Sequence, residues 1–133
     1  MTEYRFTVPS ERSSIKLIDP FLRGKGIPDI AESRYHDLLV VLTEAVNNAI
    51  VHGNAGDPTK EVSIVVSVHA TEIVATVRDM GSGFDPDQVP DPRLPENLLK
   101  EGGRGVFLIR QLADDVEYSV DDDGTNVRIT IAL

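Results

Sequence analysis

A mostly antiparallel sheet covered by helices on one face, an α+β two-layer sandwich, is the fold this chain predicts, and three observations lead there. Apolar residues recur at helical spacing through Leu38, Val41, Leu42, Ala45 and Ala49. Two pairs of short apolar runs, 62–68 with 72–78 and 116–120 with 127–131, are joined by short turn-forming segments, as in hairpins. The segments follow one another as β-α-α-β-β-loop-α-β-β, so the sheet is built from neighbouring antiparallel strands and the helices form the second layer.

In order along the chain, Tyr4 to Val8 reads as a short strand that stops at Pro9. Ser10, Ser13 and Ser14 offer N-caps for a helix reaching about Leu22, with Ile15, Leu17, Ile18 and Leu22 as its apolar positions. Gly24, Gly26 and Pro28 break it. A long helix then runs from about Ala31 to Val51, and Gly53, Gly56 and Pro58 end it. Val62 to Val68 is nearly apolar throughout, which predicts an interior strand covered on at least one face. His69-Ala70-Thr71 turns it into a second strand, Glu72 to Arg78. Four of the ten residues from Pro86 to Pro95 are proline, which excludes both regular helix and central strand. A helix begins near Gly105 and carries Val106, Phe107, Ile109, Arg110 and Ala113. The last hairpin turns through Asp121-Asp122-Asp123-Gly124. There is no internal repeat and no linker, so residues 1–133 are expected to form a single domain.

Composition narrows the function. The chain is 41% hydrophobic and 26% charged, ordinary globular values that argue against global disorder. A net charge of −9 without any Lys/Arg cluster argues against a nucleic-acid or anionic-membrane surface. The absence of cysteine removes disulfides, thiolate metal sites and a cysteine nucleophile. No apolar run resembles a signal peptide or approaches the ~18 residues of a membrane span. A soluble, cytoplasmic protein is the expectation.

The chemistry concentrates in three segments. Residues four apart share a helix face, so Glu44, Asn48 and His52 form one polar row beside the apolar stripe, looking into a cleft. Asn47 projects roughly 100° away from it. An amide oxygen suits Mg²⁺, which takes few protein ligands and keeps its waters and phosphates. A carboxylate one turn away can accept a proton from a group attacking a γ-phosphate. His52 either closes the row near the phosphates or packs as a helix-end histidine. Asp79 ends a strand and leads into Met80-Gly81-Ser82-Gly83-Phe84. This is either an Asp-containing turn or a carboxylate placed to accept a hydrogen bond from a purine amino group. Gly81 and Gly83 allow close backbone approach to a ligand. Phe84 either packs under the base or fills core. Gly102-Gly103-Arg104-Gly105-Val106 feeds a helix N-terminus, whose free N–H groups suit an anion. Without Gly-Lys-Ser/Thr it is no Walker loop, and without a βαβ unit it is no dinucleotide fingerprint. The acidic run of Asp114, Asp115, Glu117 and Asp121 to Asp123 reads as a solvated edge.

In this order and on these elements, the three segments resemble the N, G1 and G2 boxes of the GHKL ATPase superfamily. Its shared fold is the Bergerat α/β sandwich. Within it, the chain is most similar to the small bacterial anti-sigma-factor serine kinases of the RsbW/SpoIIAB type, from about residue 5 to 133. The resemblance implies ATP and Mg²⁺ as ligands, with Glu44 as general base and Asn48 as the metal ligand. It implies that Asp79 binds the adenine amino group, that Gly81 and Gly83 shape the pocket, and that Thr125 helps hold the base through water. Gly103, Arg104 and Gly105, with Val106 behind them, would cradle the phosphates. The proline-rich stretch takes the place of a short ATP lid. Where some relatives carry a basic residue before the glycine loop, this chain has Glu101, so Lys100 or Arg104 must supply positive charge to the γ-phosphate.

The resemblance therefore implies a serine/threonine protein kinase that phosphorylates a STAS-type anti-anti-sigma partner and sequesters a sigma factor. A non-catalytic nucleotide-binding partner-switch module is the alternative, and an ATPase subunit of a larger complex is a third. The family also implies homodimerisation through the sheet edge and first helix. His36, His52 and His69 all lie inside the domain, so autophosphorylation on a dimerisation-helix histidine is not expected.

Overall fold

The computed structural model of the chain describes residues 1–80 and 103–133, with side chains in the second stretch from 105 onward. Among these residues five strands form one sheet: β1 (Thr2–Pro9), β2 (Glu61–Val68), β3 (Glu72–Arg78), β4 (Asp115–Asp121) and β5 (Gly124–Ala132). Their order is β1-β2-β3-β5-β4, and every neighbouring pair is antiparallel. The two-residue side-chain period sorts the strands into two faces. Across all five strands, Phe6, Ile64, Val77, Val127 and Tyr118 stand in one row, and Tyr4, Val66, Ala75, Ile129 and Val116 in the next. These rows face the helices. The intervening row of Arg5, Val65, Thr76, Arg128 and Glu117 lies on the other face. β2, nearly apolar in sequence, is interior as expected: Val62, Ile64 and Val66 are fully buried, while Ser63 and Val65 are only partly so.

The helical layer consists of α1 (Ile18–Gly24), α2 (Ile27–Ala31), α3 (Tyr35–Asn48) and α4 (Gly103–Leu112). α3 is the spine. Leu38, Val41, Leu42, Ala45 and Val46 are almost completely buried against β3, β5 and α4. At about 1.5–3 kcal/mol for each large apolar side chain removed from water, this stripe fixes which way the helix faces. No described helix is long and apolar enough to cross a membrane.

Four sequence expectations need correction. The serines do not cap the first helix. Ser14 Oγ donates to the Pro9 carbonyl at 2.8 Å and Ser10 Oγ to the Lys60 carbonyl at 2.7 Å, and a 3₁₀ turn (Arg12–Leu17) leads into α1. Pro28 does not interrupt helix but sits in the first turn of α2, where its missing N–H costs nothing. The long helix expected over 31–51 is divided. Glu32, with φ +51°, closes α2, a 3₁₀ turn (Glu32–Arg34) follows, and α3 starts at Tyr35. At its far end α3 widens into a π turn (Ala49–Gly53), in which the Asn54 N–H reaches back five residues to the Ala49 carbonyl at 2.8 Å. α4 begins at Gly103 rather than Gly105.

Candidate functional site

The site forms where the C-terminal half of α3 meets the ends of β3 and β5 and the first turn of α4. Glu44 and Asn48 share a face of α3, as the four-residue spacing demands. Gly105 of α4 lies directly on them. A Cβ built at Gly105 would come 2.7 Å from Glu44 Oε2 and 3.3–3.4 Å from the two amide atoms of Asn48. The N-terminal end of α4 is therefore held against the carboxylate and the amide because residue 105 has no side chain. Asn48 is 5% exposed, whereas Asn47 is only partly buried, in line with the helical face assigned to each.

Asp79 follows the last residue of β3 and is 2% exposed. Its backbone N–H donates to the Thr125 carbonyl at 3.1 Å, and its Oδ1 accepts the Thr125 N–H at 3.0 Å. The carboxylate is thus tied to the start of β5, where Gly124 (φ +142°) leaves the space it occupies. Ala45, Asn48, Ala49, Val77, Asp79, Ile109, Tyr118, Thr125 and Val127 line a cavity of ≈ 10 Å³, room for about one water. Burial pushes the Tyr118 phenol above its ordinary range although the Arg110 guanidinium lies over its ring, so Tyr118 presents a neutral hydroxyl.

Of the remaining sequence-predicted residues, Thr125 lines this cavity and Val106 is buried in the first turn of α4. Gly103, Arg104, Gly105 and Val106 supply the four backbone N–H groups that an α-helix leaves without partners inside itself. The polar row does not extend to His52. The π turn winds more slowly than an α-helix, which leaves His52 exposed and outside the lining of the cavity. Gly81, Gly83, Phe84, Lys100, Glu101 and the proline-rich stretch lie outside the described residues, as does the side chain of Arg104.

Three residues at the site were missed from sequence. Tyr118 was recoverable from the period-2 pattern of β4, since it alternates with Val116. Gly53 was read only as a helix end, and Asn54 was not singled out. Asn54, 1% exposed, donates from Nδ2 to Ser10 Oγ (2.8 Å) and to the Glu61 carbonyl (3.2 Å). Its Oδ1 accepts the Met80 N–H at 2.7 Å.

The donor set bears on a divalent ion. No group of three or more His, Cys, Asp or Glu able to hold a metal occurs among the described residues. One buried amide oxygen beside one carboxylate does not make a calcium or zinc cage, but it fits Mg²⁺ carried in by phosphates.

Comparison with known proteins agrees with the fold. The family described as histidine kinase-like ATPase domain matches residues 21–131. A serine-protein kinase RsbW from Oceanobacillus iheyensis is 33% identical over 89 residues, covering 62% of this chain and 56% of the relative. An anti-sigma F factor from the same organism is 35% identical over 102 residues, covering 73% of this chain and 68% of the relative. The solved histidine kinase domain of the blue-light activated kinase EL346 from Erythrobacter litoralis superposes with a TM-score of 0.53 at 25% identity. That match covers 73% of this chain and 43% of the solved one. The chain thus spans little more than half of the RsbW relative's length.

Proposed function

The chain belongs to the histidine kinase-like ATPase domain family, and from that membership we propose that it is an ATP-dependent serine/threonine protein kinase acting as an anti-sigma factor. One observation carries the reading: α4 lays its N-terminal turn on Glu44 and Asn48 through a glycine. A module that merely held a partner would not need a half-buried carboxylate next to an anion-binding helix end. The names of the relatives, serine-protein kinase and anti-sigma F factor, support the same reading.

When bound, MgATP supplies the γ-phosphoryl group to be transferred. Asn48 would hold the ion through its amide, and the backbone N–H groups of residues 103–106, which the helix leaves without partners inside itself, would bind the phosphates. Asp79 accepts a hydrogen bond from the adenine amino group, and Thr125 stands beside it as a second polar contact, through water. Glu44 takes the proton from the attacking serine or threonine hydroxyl of the partner. Lys100 or Arg104 meets the γ-phosphate charge. The partner is a STAS-type anti-anti-sigma protein, with a sigma factor as the regulated target, in the cytoplasm.

Calorimetric titration of ATP with and without Mg²⁺, beside Asp79→Asn, tests the nucleotide site, and a phosphotransfer assay with STAS partners tests the reaction. Glu44→Ala is expected to keep ATP binding and lose transfer by roughly 10²-fold or more. Absence of binding at millimolar ATP sinks the kinase reading. One sequence feature favours a non-catalytic partner switch: Glu101, a carboxylate directly before the glycine loop. Binding without transfer to any acceptor decides for that alternative.

A further inference from the structure

We propose that Gly53 and Asn54, at the π turn that ends α3, form a positioning clamp for Asp79 and thereby set the choice of purine base. The inference rests on the nucleotide reading of the site and adds to it the residues that govern base selection.

Two independent contacts build the clamp. A Cβ at Gly53 would overlap Oδ2, Cγ and Cβ of Asp79. These are not the free end of a mobile side chain, because Asp79 is 2% exposed and its Oδ1 is engaged by the Thr125 N–H. The carboxylate therefore occupies the space that glycine leaves. Asn54 then fixes the backbone just beyond it, through Oδ1 to the Met80 N–H. The amide has no freedom to flip. On one side it meets an N–H, on the other the Glu61 carbonyl and Ser10 Oγ, so only one orientation matches donors to acceptors. Ser10 is itself anchored to the Lys60 carbonyl. The strand ends at residues 9–10 and 60–61 thus brace Asn54, and Asn54 braces the exit of β3. The π turn is what brings these residues there, since an α-helical continuation would end its hydrogen bonds one residue earlier and turn Gly53 and Asn54 to another side.

The chemistry at stake is a single hydrogen bond. Adenine presents an amino donor to the Asp79 carboxylate, whereas hypoxanthine presents a carbonyl oxygen at the same ring position. ATP and inosine triphosphate differ there and at the adjacent ring nitrogen, so their affinity ratio reads the placement of Asp79 and of the Thr125 contact tied to it. A general loosening of the fold weakens both nucleotides and leaves the ratio alone.

The test titrates both nucleotides calorimetrically, with Mg²⁺, into the full chain as wild type, Gly53→Ala, Asn54→Ala and Ser10→Ala. The wild type is expected to prefer ATP by about tenfold to a hundredfold, the range of one hydrogen bond to a charged group. Gly53→Ala and Asn54→Ala are expected to lower that ratio about fivefold or more, mainly by weakening ATP, with Ser10→Ala between them and wild type. Folded variants that keep the wild-type ratio overturn the clamp while leaving the nucleotide site standing. A wild type that binds neither nucleotide removes the nucleotide reading, and the clamp falls with it. Should Gly53→Ala prove insoluble, amide exchange decides. In unliganded Asn54→Ala the Met80 amide is expected to exchange at least about tenfold faster while core amides such as Ile129 are unchanged. Equal Met80 protection in the variant overturns the proposal.

Discussion

A side chain at Gly105 would press on Glu44 Oε2 and on the Asn48 amide, so anything larger than glycine must displace the Glu44 carboxylate. Alanine there raises helix propensity by about 1 kcal/mol, yet its methyl group would press on a carboxylate oxygen 2.7 Å away. The two effects oppose each other in stability but not in function. Gly105→Ala is expected to change the melting temperature little and to cut phosphotransfer about tenfold or more, since a helix end displaced by a fraction of an ångström misplaces its N–H groups. Calorimetric melting beside single-turnover transfer separates the two effects. A variant that transfers at the wild-type rate contradicts the argument. At this scale Glu44 and Asn48 were legible because an i, i+4 spacing is a property of sequence alone. Gly53 was not, because what a glycine makes room for comes from a distant part of the chain, here Asp79.

At the scale of elements, α3 and α4 are locked to the sheet by Arg34. Its guanidinium donates to the carbonyls of Leu112 and Ala132, both at 3.1 Å, pairs with Asp114 at 3.2 Å, and its Nε donates to Asp37 at 3.2 Å. Arg34→Ala leaves the last carbonyl of α4 and the end of β5 without this donor. A loss of about 2 kcal/mol, or roughly 5–10 °C in melting temperature, is expected. Asp114 completes the clasp by accepting the Ala132 N–H at 2.8 Å. That bond first, and Arg34 second, hold its carboxyl below the usual carboxylate range. Because the folded value lies below the unfolded one, this contribution is fully present above pH ~4 and is lost as the pH falls through the folded value. Asp114→Asn is therefore expected to lower the urea midpoint at pH 7 and to converge on wild type once the pH has fallen below the folded value. Parallel curves over that range contradict it. The helix over 35–48 was readable from its apolar stripe. Its division from α2 and its π end were not. Both depend on backbone hydrogen bonds shifted by a residue, for which composition carries no signal.

For the whole molecule, the class of fold and the strands could be read from short apolar runs bounded by turns, with period-2 alternation in some of them, as in Phe6–Val8 or Val127–Ile131. The placement of β5 between β3 and β4 could not, because strand order is decided by which edges meet in space. Ile129 lies on that inserted strand and is 0% exposed, opposite Ala75 on one side and Val116 on the other. Ile129→Ala opens a cavity at the centre of the sheet and is expected to cost about 3 kcal/mol in urea unfolding, with an unchanged denaturant slope. A loss under about 1 kcal/mol would show that the helical layer closes over the gap.

The insertion also has a consequence in time. Asp79 acquires its partner on Thr125 only when β5 slides in beside β3, so the pocket does not exist on a chain that has formed its first hairpin alone. A ligand seated there meets only finished molecules. It should lengthen the lifetime of the folded protein in proportion to its occupancy while leaving the speed of refolding where it was. A nucleotide at this site is a keeper of the completed fold, not a midwife to it.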